Sequence, residues 1–251
     1  MIERTFEVPG TPRVVLTIAS GSIEIVEGAP GAIRLQIDGA RESELEITQV
    51  GETISVRRSH SPLRSSSTRI RAEVPAGTET RLKVASARVD GSARLGYCEV
   101  DTASGDVNLT EVGELRGKSA SGDLAIGTIS GEASLRTASG DLRIGHVVGR
   151  LEVTTSSGSV DVGTATDDLI SSASSGDMAI RQYEGSDLDL KSVSGDIRVG
   201  LPAGTKLALD ARSLSGSIRL PERSGTQGGG GHQVRARIRA VSGDIEIRRV
   251  E

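Results

Sequence analysis

The chain has 251 residues, in which 30 Lys and Arg stand against 34 Asp and Glu, so the formal net charge is −4. Because phosphates need a positive surface, we expect no nucleic-acid partner. Aromatic residues make up 1% of the chain and hydrophobic residues 35%, so a core has to be built from Ile, Leu and Val rather than from rings.

The sequence contains no visible signal for export or membrane insertion. Its one cysteine, Cys98, cannot form a disulfide within the chain, so nothing requires an oxidising compartment. Residues 1–6 lack the basic region and apolar run of a secretory signal, and no stretch approaches the length of an apolar membrane span. We therefore expect a cytoplasmic protein, or a surface protein if a leader has been removed.

The first part of the chain contains strand patterns that follow one another irregularly. A Ser-Gly-Ser triplet at 20–22 precedes an apolar alternation, and a further alternation at 33–37 lies at the distance expected for the second strand of a repeat unit. The turn at 50–53 separates two alternating segments and predicts a hairpin. Residues 57–71 are rich in Ser and Arg and predict a mobile loop.

From residue 104 onward a Ser-Gly-Asp or Ser-Gly-Ser triplet recurs at a nearly constant interval. The spacings between its glycines are 17, 18, 18, 18, 19, 21 and 27 residues. A period near 18 is too short for helical-hairpin repeats or propeller blades, but it suits one coil of a β-solenoid. The glycines are Gly105, Gly122, Gly140, Gly158, Gly176, Gly195, Gly216 and Gly243.

Each repeat unit contains two strand patterns separated by turns. Apolar residues stand two and four positions after the glycine, as at Leu142 and Ile144, and this period of two is typical of a strand with one buried face. A second turn about nine residues after the glycine, such as Gly149, leads into a second alternation. Stacked in parallel at about 4.8 Å per rung, such units bury a continuous aliphatic spine. In that stack Arg143 faces Asp161 of the next unit.

We therefore predict an all-β fold: a single parallel β-solenoid, or β-helix, with rungs of about 17–19 residues and an irregular N-terminal β cap. Residues 1–103 form the cap and residues 104–251 the regular repeats, in one continuous domain. A Pro-Ala-Gly-Thr turn at 75–78 recurs at 202–205, which indicates that the cap shares the repeat pattern. The segment 222–233, with four consecutive glycines, predicts a flexible loop.

The repeated Ser-Gly-Asp-Φ-x-Φ unit, in which Φ is apolar, and its second glycine-led strand resemble the DUF4097 family of β-strand-repeat proteins, which are labelled "putative adhesins". The resemblance extends over essentially the whole chain, including the opening strand at 6–8 and the unit at 20–25. It implies a bacterial β-solenoid without established catalytic residues, and the adhesin label implies an outer surface.

A column of aspartates follows the repeat glycines, about 4.8 Å apart along one edge of the stack, where like charges repel. One explanation is calcium, which takes carboxylate oxygens as ligands. The other is turn chemistry, in which glycine tolerates a positive φ and the side chains bond nearby amides. We favour turn chemistry, because Ser159 and Ser217 interrupt the column. The column consists of Asp106, Asp123, Asp141, Asp177, Asp196 and Asp244.

No residue pattern indicates a catalytic, cofactor or transition-metal site. The histidines, His60, His146 and His232, lie in different predicted loops, and no paired Cys or His spacing is present. The stretch 113–119 lacks both the spacing and the following helix of a phosphate-binding loop. We therefore predict no catalytic residues and no cofactors, and no metal beyond the calcium reading of the aspartate column. We expect Cys98 to be a small, partly buried residue.

Two charged groups remain as surface candidates. The acidic group could hold the two carboxylates of a glycosidase, although sugar sites usually contain aromatic faces and a solvated face is the simpler interpretation. The basic group, near the C-terminal end, could protect an exposed last rung from edge-to-edge aggregation or bind an acidic partner. The acidic group consists of Asp161, Asp167, Asp168, Asp187 and Asp189. The basic group consists of Arg235, Arg237, Arg239, Arg248 and Arg249.

These observations favour a non-catalytic structural or interaction module with a protein partner, and not an enzyme. A charged face made by repetition suits protein binding. Two alternatives stay open. A polysaccharide-binding or polysaccharide-cleaving β-helix protein requires an open groove lined by carboxylates and at least one Arg. A self-assembling scaffold requires association through the solenoid ends, so we expect a monomer or weak self-association there.

Overall fold

The structure, a computed structural model, describes residues 1–58, 67–221 and 232–250. The chain divides into two compact units, Met1–Thr128 and Ile129–Glu251. Across the described ranges the regular elements are β-strands, apart from a short 3₁₀ turn at Glu42–Glu44. In those ranges no helix has the length and apolar character needed to cross a membrane.

Unit 1 is built from strands whose apolar residues alternate with polar ones, so that each strand buries one side. The strands are β1 (Ile2–Glu7), β2 (Arg13–Ile18), β3 (Gly21–Glu27), β4 (Ala32–Asp38), β5 (Leu45–Val50), β6 (Thr53–Arg58), β7 (Thr68–Val74), β8 (Thr78–Val84), β9 (Arg88–Thr102), β10 (Val107–Ser119) and β11 (Leu124–Ile129), the last of which reaches the unit boundary.

Parallel strands form two ladders in unit 1. We call them the pre-corner ladder, whose strands lead into the corner of a rung, and the post-corner ladder, whose strands follow it. In the pre-corner ladder β2 lies between β6 and β8, and β8 also pairs with the second half of β9. In the post-corner ladder β3 lies between β7 and the first half of β9. The rung β2–β3 is therefore flanked by β6–β7 on one side, although β6–β7 comes later in the sequence.

Antiparallel strands cover the outermost rung of unit 1. The predicted hairpin is confirmed: β5 pairs with β6, and Gly51 has a φ of +57°. β4 runs antiparallel to β7 on one side and to β1 on the other. The prediction that residues 33–37 form the second strand of a parallel rung is wrong, because β4 folds back over β7 and buries Ile33, Leu35 and Ile37 there.

Unit 2 consists of shorter strands with the same alternation. They are β12 (Ala133–Thr137), β13 (Leu142–Val147), β14 (Leu151–Thr155), β15 (Val160–Ala165), β16 (Leu169–Ser175), β17 (Met178–Tyr183), β18 (Asp187–Ser194), β19 (Ile197–Pro202), β20 (Lys206–Ser215), β21 (Ile218–Arg219), β22 (Gln233–Ser242) and β23 (Ile245–Val250).

The strands of unit 2 stack in register, which confirms the predicted parallel β-solenoid. In the pre-corner ladder Leu151 pairs with Ala133 on one side and with Leu169 on the other. In the post-corner ladder the predicted alignment of Arg143 with Asp161 is confirmed. Each rung of unit 2 therefore has two strands, one in each ladder.

The last two rungs of unit 2 are exchanged in space relative to their order in the sequence. β22 lies between β18 and β20, and β23 lies between β19 and β21. The terminal rung is therefore β20–β21. The prediction that the C-terminal arginines lie on an exposed last rung is wrong, because β22 and β23 are inner strands with a partner on each side. The wide glycine spacings of 21 and 27 residues coincide with this exchange.

The spine of unit 2 is aliphatic, as expected, with one ring in it. Leu188 and Leu190 of β18 are 2% and 0% exposed, and burying such a side chain contributes about 1.5–3 kcal/mol. Tyr183 is also fully buried and donates its hydroxyl hydrogen bond to the Asp187 carbonyl oxygen at 2.6 Å. Its register partner is Ala165, so a ring is accommodated where the adjacent rung offers a small side chain.

The predicted loops fall partly outside the described residues. Both ends of the predicted loop at 57–71 are strand, because β6 continues to Arg58 and β7 begins at Thr68; residues 59–66 lie outside the described ranges. Residues 222–231 of the second predicted loop also lie outside them, and Gln233 already belongs to β22. The domain boundary between residues 103 and 104 stays a prediction.

Candidate interaction surface

Two kinds of corner join the strands of a rung. In the first kind, a buried Ser or Thr three residues before the glycine holds the corner closed. The Thr155 hydroxyl accepts from the Gly158 N–H at 2.9 Å and donates to the Gly158 carbonyl oxygen at 3.2 Å. In the second kind, the glycine has a left-handed backbone, with a φ of +123° at Gly176 and +132° at Gly195.

Close approach between rungs explains the glycine at corners of both kinds. A Cβ on Gly158 would lie 2.0 Å from the carbonyl oxygen of Gly140, and a Cβ on Gly195 would lie 2.4 Å from that of Gly176. Only corners of the second kind also need glycine for a positive φ. The requirement for a positive φ therefore explains the glycine at corners of the second kind only, whereas the close contact between rungs explains it at both kinds of corner.

The aspartates that follow the corner glycine bind backbone amides of the adjacent rung. The Asp141 carboxylate accepts from the Ser159 N–H at 2.9 Å. The Asp177 carboxylate accepts from the Asp196 N–H at 2.9 Å. Each aspartate thereby gives a partner to a corner amide one rung away, and the bond to N–H offsets part of the repulsion along the column.

The aspartate interaction ends at the terminal rung. Ser217 occupies the aspartate position of that rung and donates its N–H to the Asp244 carboxylate at 2.8 Å. This hydrogen bond is the largest cause of a lowered pKa at Asp244. No described rung follows β20–β21 and requires an acceptor from Ser217.

The structure assigns amide partners to much of the aspartate column and does not test its affinity for calcium. In the ranges that the structure describes, no group of three or more His, Cys, Asp and Glu side chains is placed to share one metal ion. Calcium binding by Asp106, Asp123, Asp141, Asp177, Asp196 and Asp244 stays a prediction.

The outward side chains of β16, β18, β22 and β20 form one surface, which we call the outer face. Register aligns these side chains in columns that cross the strands. Two columns are mixed in charge or polarity: one contains Asp187, Arg235 and Ala208, and the other contains Ile170, Asp189, Arg237 and Asp210. The third column contains Ser172, Lys191, Arg239 and Arg212 and is basic from β18 onward. The fourth contains Ser174, Val193, Val241 and Leu214 and is apolar from β18 onward.

A groove with a volume of about 560 Å³ crosses the two mixed columns. Asp187 contacts Arg235 at 2.9 Å, and Asp189 lies 3.8 Å from Arg237. Three of the five predicted acidic residues thus come together, joined by one more aspartate. The charged side chains of the lining are Asp168, Asp187, Asp189, Asp210, Arg150, Arg235 and Arg237.

The basic and apolar columns lie side by side next to the groove. Val193 is 54% exposed, Val241 46% and Leu214 85%. In the basic column, Lys191 pairs with Asp189 at 3.5 Å, whereas Arg239 has no ion pair with another described residue. A row of exposed aliphatic side chains beside cations is typical of a binding surface. Sequence reasoning missed this pairing, although the signal is present in the repeat. Lys191, Arg212 and Arg239 each lie four residues before a repeat glycine, and Val193, Leu214 and Val241 each lie two residues before it.

The remaining acidic candidates lie off the outer face. Asp161 belongs to the post-corner ladder and pairs with Arg181, whose Nε lies 3.1 Å from the carboxylate. Asp167 accepts the N–H of Asp168 at 2.7 Å, which is a local turn contact. The predicted acidic group is therefore divided among three locations: the groove, the post-corner ladder and the turn that contains Asp167.

The histidines do not converge either. His146 lies on β13, and a ring nitrogen of His232 is 2.8 Å from the Gly185 carbonyl oxygen. His60 lies outside the described residues.

Two other sequence features have structural roles. Cys98 is fully buried, and this burial raises the pKa of its thiol to about 12, so the thiol stays protonated. The expectation of partial burial is therefore wrong. The stretch 113–119 lies within β10, and Leu115 is buried. This segment is therefore strand and does not have the structure of a phosphate-binding loop.

Two-stranded rungs, parallel ladders and glycine corners define this protein as a short-period parallel β-solenoid. The chain belongs to the DUF4097 family, because the family model, Toastrack DUF4097, matches residues 12–248.

Solved structures share this architecture. A "putative adhesin" from Parabacteroides distasonis ATCC 8503 is 14% identical with a TM-score of 0.56, over 98% of this chain and 96% of that one. Another "putative adhesin", from Parabacteroides merdae ATCC 43184, is 11% identical with a TM-score of 0.57, over 100% of this chain and 96% of that one. At these identities the likeness shows the fold alone. No curated protein matches the chain.

Proposed function

We propose that this chain is a non-catalytic interaction module that binds a partner protein through the outer face of unit 2. The observation that carries this proposal is the basic column beside the exposed apolar column, with Arg239 available for a new ion pair. The complementary partner surface has carboxylates next to an aliphatic stripe. The description of related structures as "putative adhesins" supports a binding role for the family.

The binding face can be tested by charge reversal on the basic column. Host proteins captured by the wild-type chain are compared with those captured by the Lys191→Glu/Arg239→Glu variant. Arg181→Glu, on the post-corner ladder, is the matched control for loss of a cation. We expect the column variant to lose a specific partner that the control retains, and titration calorimetry with the purified partner to confirm the loss. Equal capture by all three proteins contradicts the proposal.

A polysaccharide ligand is the second candidate, and the groove favours it. The groove is open and combines carboxylates with arginines, as that alternative requires. Asp187, Asp189 and Asp210 already contact guanidinium groups, which suits recognition of hydroxyl-rich ligands better than acid–base cleavage. A glycan array with wild type and Asp187→Asn/Arg235→Gln tests this candidate. Binding that the variant loses supports a carbohydrate ligand, and release of sugar at an enzyme-like rate overturns the non-catalytic assignment.

A cytoplasmic location is part of the proposal. Fractionation of the native host with an antibody to the chain tests it, and a signal confined to the cell surface contradicts it.

A further inference from the structure

The terminal rung of unit 2 presents strand edges that no described strand covers. β20 pairs with β22 on one side, and β21 pairs with β23 on the same side. Within the described ranges, neither has a partner on its other side. Uncovered edges of this kind are templates for pairing with another chain.

Burial is incomplete in the same rung. Leu207, Leu209 and Ala211 point toward the spine but are only half-buried, whereas their register partners in β22 are buried. Ile218 of β21 is 40% exposed, and its partner Ile245 is 0% exposed. A further pair of strands stacked on this rung would therefore cover its half-exposed apolar side chains. The equivalent side chains of the inner rungs are already covered by the next rung.

The hydrogen-bond pattern fixes which residues of β20 can pair outward. The Lys206 N–H donates to the His232 carbonyl oxygen, toward β22. Backbone groups alternate in direction along a strand, so the N–H and C=O groups of residues 207, 209, 211 and 213 point to the uncovered edge. An antiparallel partner must place its own outward-pointing groups opposite these.

Only one long register between two copies of β20 satisfies both hydrogen bonding and charge. A two-fold axis at residue 210 places Asp210 opposite Asp210 of the second copy, and like charges directly opposite are destabilising. A two-fold axis at Ala211 places Asp210 opposite Arg212 and Arg212 opposite Asp210. The same register puts Ala208 opposite Leu214, which is 85% exposed in the single chain.

We propose that two copies of this chain associate through their terminal rungs, with β20 paired antiparallel to β20 about a two-fold axis at Ala211. A two-fold axis normal to the ladder keeps the inward side chains of both copies on the same side, so the two spines become continuous. The interaction is isologous and closes as a dimer. This inference is independent of the partner proposed for the outer face.

Light scattering coupled to size exclusion tests the dimer with the full chain. We expect wild type to be dimeric and both Asp210→Arg and Arg212→Asp to shift to monomer at the same concentration. The double variant D210R/R212D restores opposite charges across the axis and should recover the dimer. Arg181→Glu, away from the edge, is the charge-change control and should remain dimeric. Thermal unfolding by circular dichroism shows that each variant is folded.

Cysteine cross-linking tests the register separately. Ala211→Cys places two thiols opposite each other, and we expect a disulfide dimer on a non-reducing gel. Ala208→Cys, on the same strand but opposite Leu214, should form no disulfide and run as a monomer on that gel, and native Cys98 is buried. A monomeric wild type, a dimer that ignores both charge reversals, or equal cross-linking of the two cysteine variants overturns the proposal.

Discussion

The terminal rungs of the two units are finished in different ways. In unit 1 the edges of β6 and β7 are paired with the antiparallel strands β5 and β4. In unit 2 the outer edges of β20 and β21 have no partner among the described strands. The outermost rung is thus covered by the chain itself in unit 1, whereas in unit 2 its edge is left available for association. The strands of an outermost solenoid rung have unpaired backbone groups along one edge, so association with another chain depends on what covers that edge.

The largest expected difference concerns apolar side chains at the two terminal rungs. Leu35, in the covering strand β4, is 0% exposed, so Leu35→Ala should cost about 2–5 kcal/mol of unfolding free energy. Leu209, in the uncovered strand β20, is half-buried, and Leu209→Ala should cost about 1 kcal/mol. Urea unfolding at a concentration where the chain is monomeric measures both. Similar losses would contradict the distinction between covered and uncovered rungs.

A corner glycine inside the stack should matter more than a turn glycine beside the terminal rung. Gly158→Ala drives a Cβ against the Gly140 carbonyl and should cost about 3 kcal/mol. A Cβ on Gly204 meets nothing within 4 Å, but its φ is +80°, so Gly204→Ala should cost about 1–2 kcal/mol from backbone strain. Unfolding midpoints of the two variants provide the comparison. A larger loss at Gly204 would show that φ, and not rung spacing, dominates.

The hydroxyl at an inner corner should matter more than that of the terminal rung. Thr155→Ala removes two hydrogen bonds at a buried corner and should cost about 2 kcal/mol. Ser213→Ala removes one bond, at 3.1 Å, in the half-buried terminal corner and should cost about 0.5 kcal/mol. Thr155→Ser is the matched control, because it keeps the hydroxyl. If that control is as unstable as Thr155→Ala, the methyl group rather than the hydrogen bonds is responsible.

The smallest effect should appear at the exposed contact between the last two rungs. The Ser217 N–H holds the pKa of Asp244 below its ordinary value of 3.8. A lowered folded-state pKa stabilises the fold above the unfolded pKa, and this contribution is lost as the pH falls through the folded value. The melting temperature of wild type should therefore decrease more than that of Asp244→Asn between pH 5 and pH 2, a range chosen to span about two units around the carboxyl pKa. Parallel curves would show that the hydrogen bond contributes no pH dependence.

Much of the fold follows from local pattern. The alternation, the period and the parallel register are confirmed, because each depends on apolar residues that recur at fixed positions. The turn at 75–78 is reproduced at 202–205, where Thr78 and Thr205 donate to the carbonyl oxygens of Pro75 and Pro202. Such contacts lie within a few residues and depend little on the rest of the chain.

The exchanged rungs could not be predicted in the same way. β20 and β22 carry similar alternations, so either could pair with β18, and the choice depends on long-range packing. The candidate surface depends less on the exchange. Lys191, Arg212 and Arg239 share the position four residues before a repeat glycine, so their column follows from the repeat, and the exchange decides only that Arg239 lies between the other two. The covering strand β4 was mistaken for a rung strand, because alternation does not report strand direction.

The exchanged rungs also constrain synthesis on the ribosome. A nascent chain exposes residues 206–219 before residues 233–250, yet among the described strands the earlier segment pairs only with the later one. Folding of this region therefore cannot proceed strictly in the order of translation: β20 and β21 wait for β22 and β23 to emerge, or occupy their place on β18 and β19 and are later displaced. Pausing or truncation before residue 233 would leave a competing, shorter pairing that the complete polypeptide resolves.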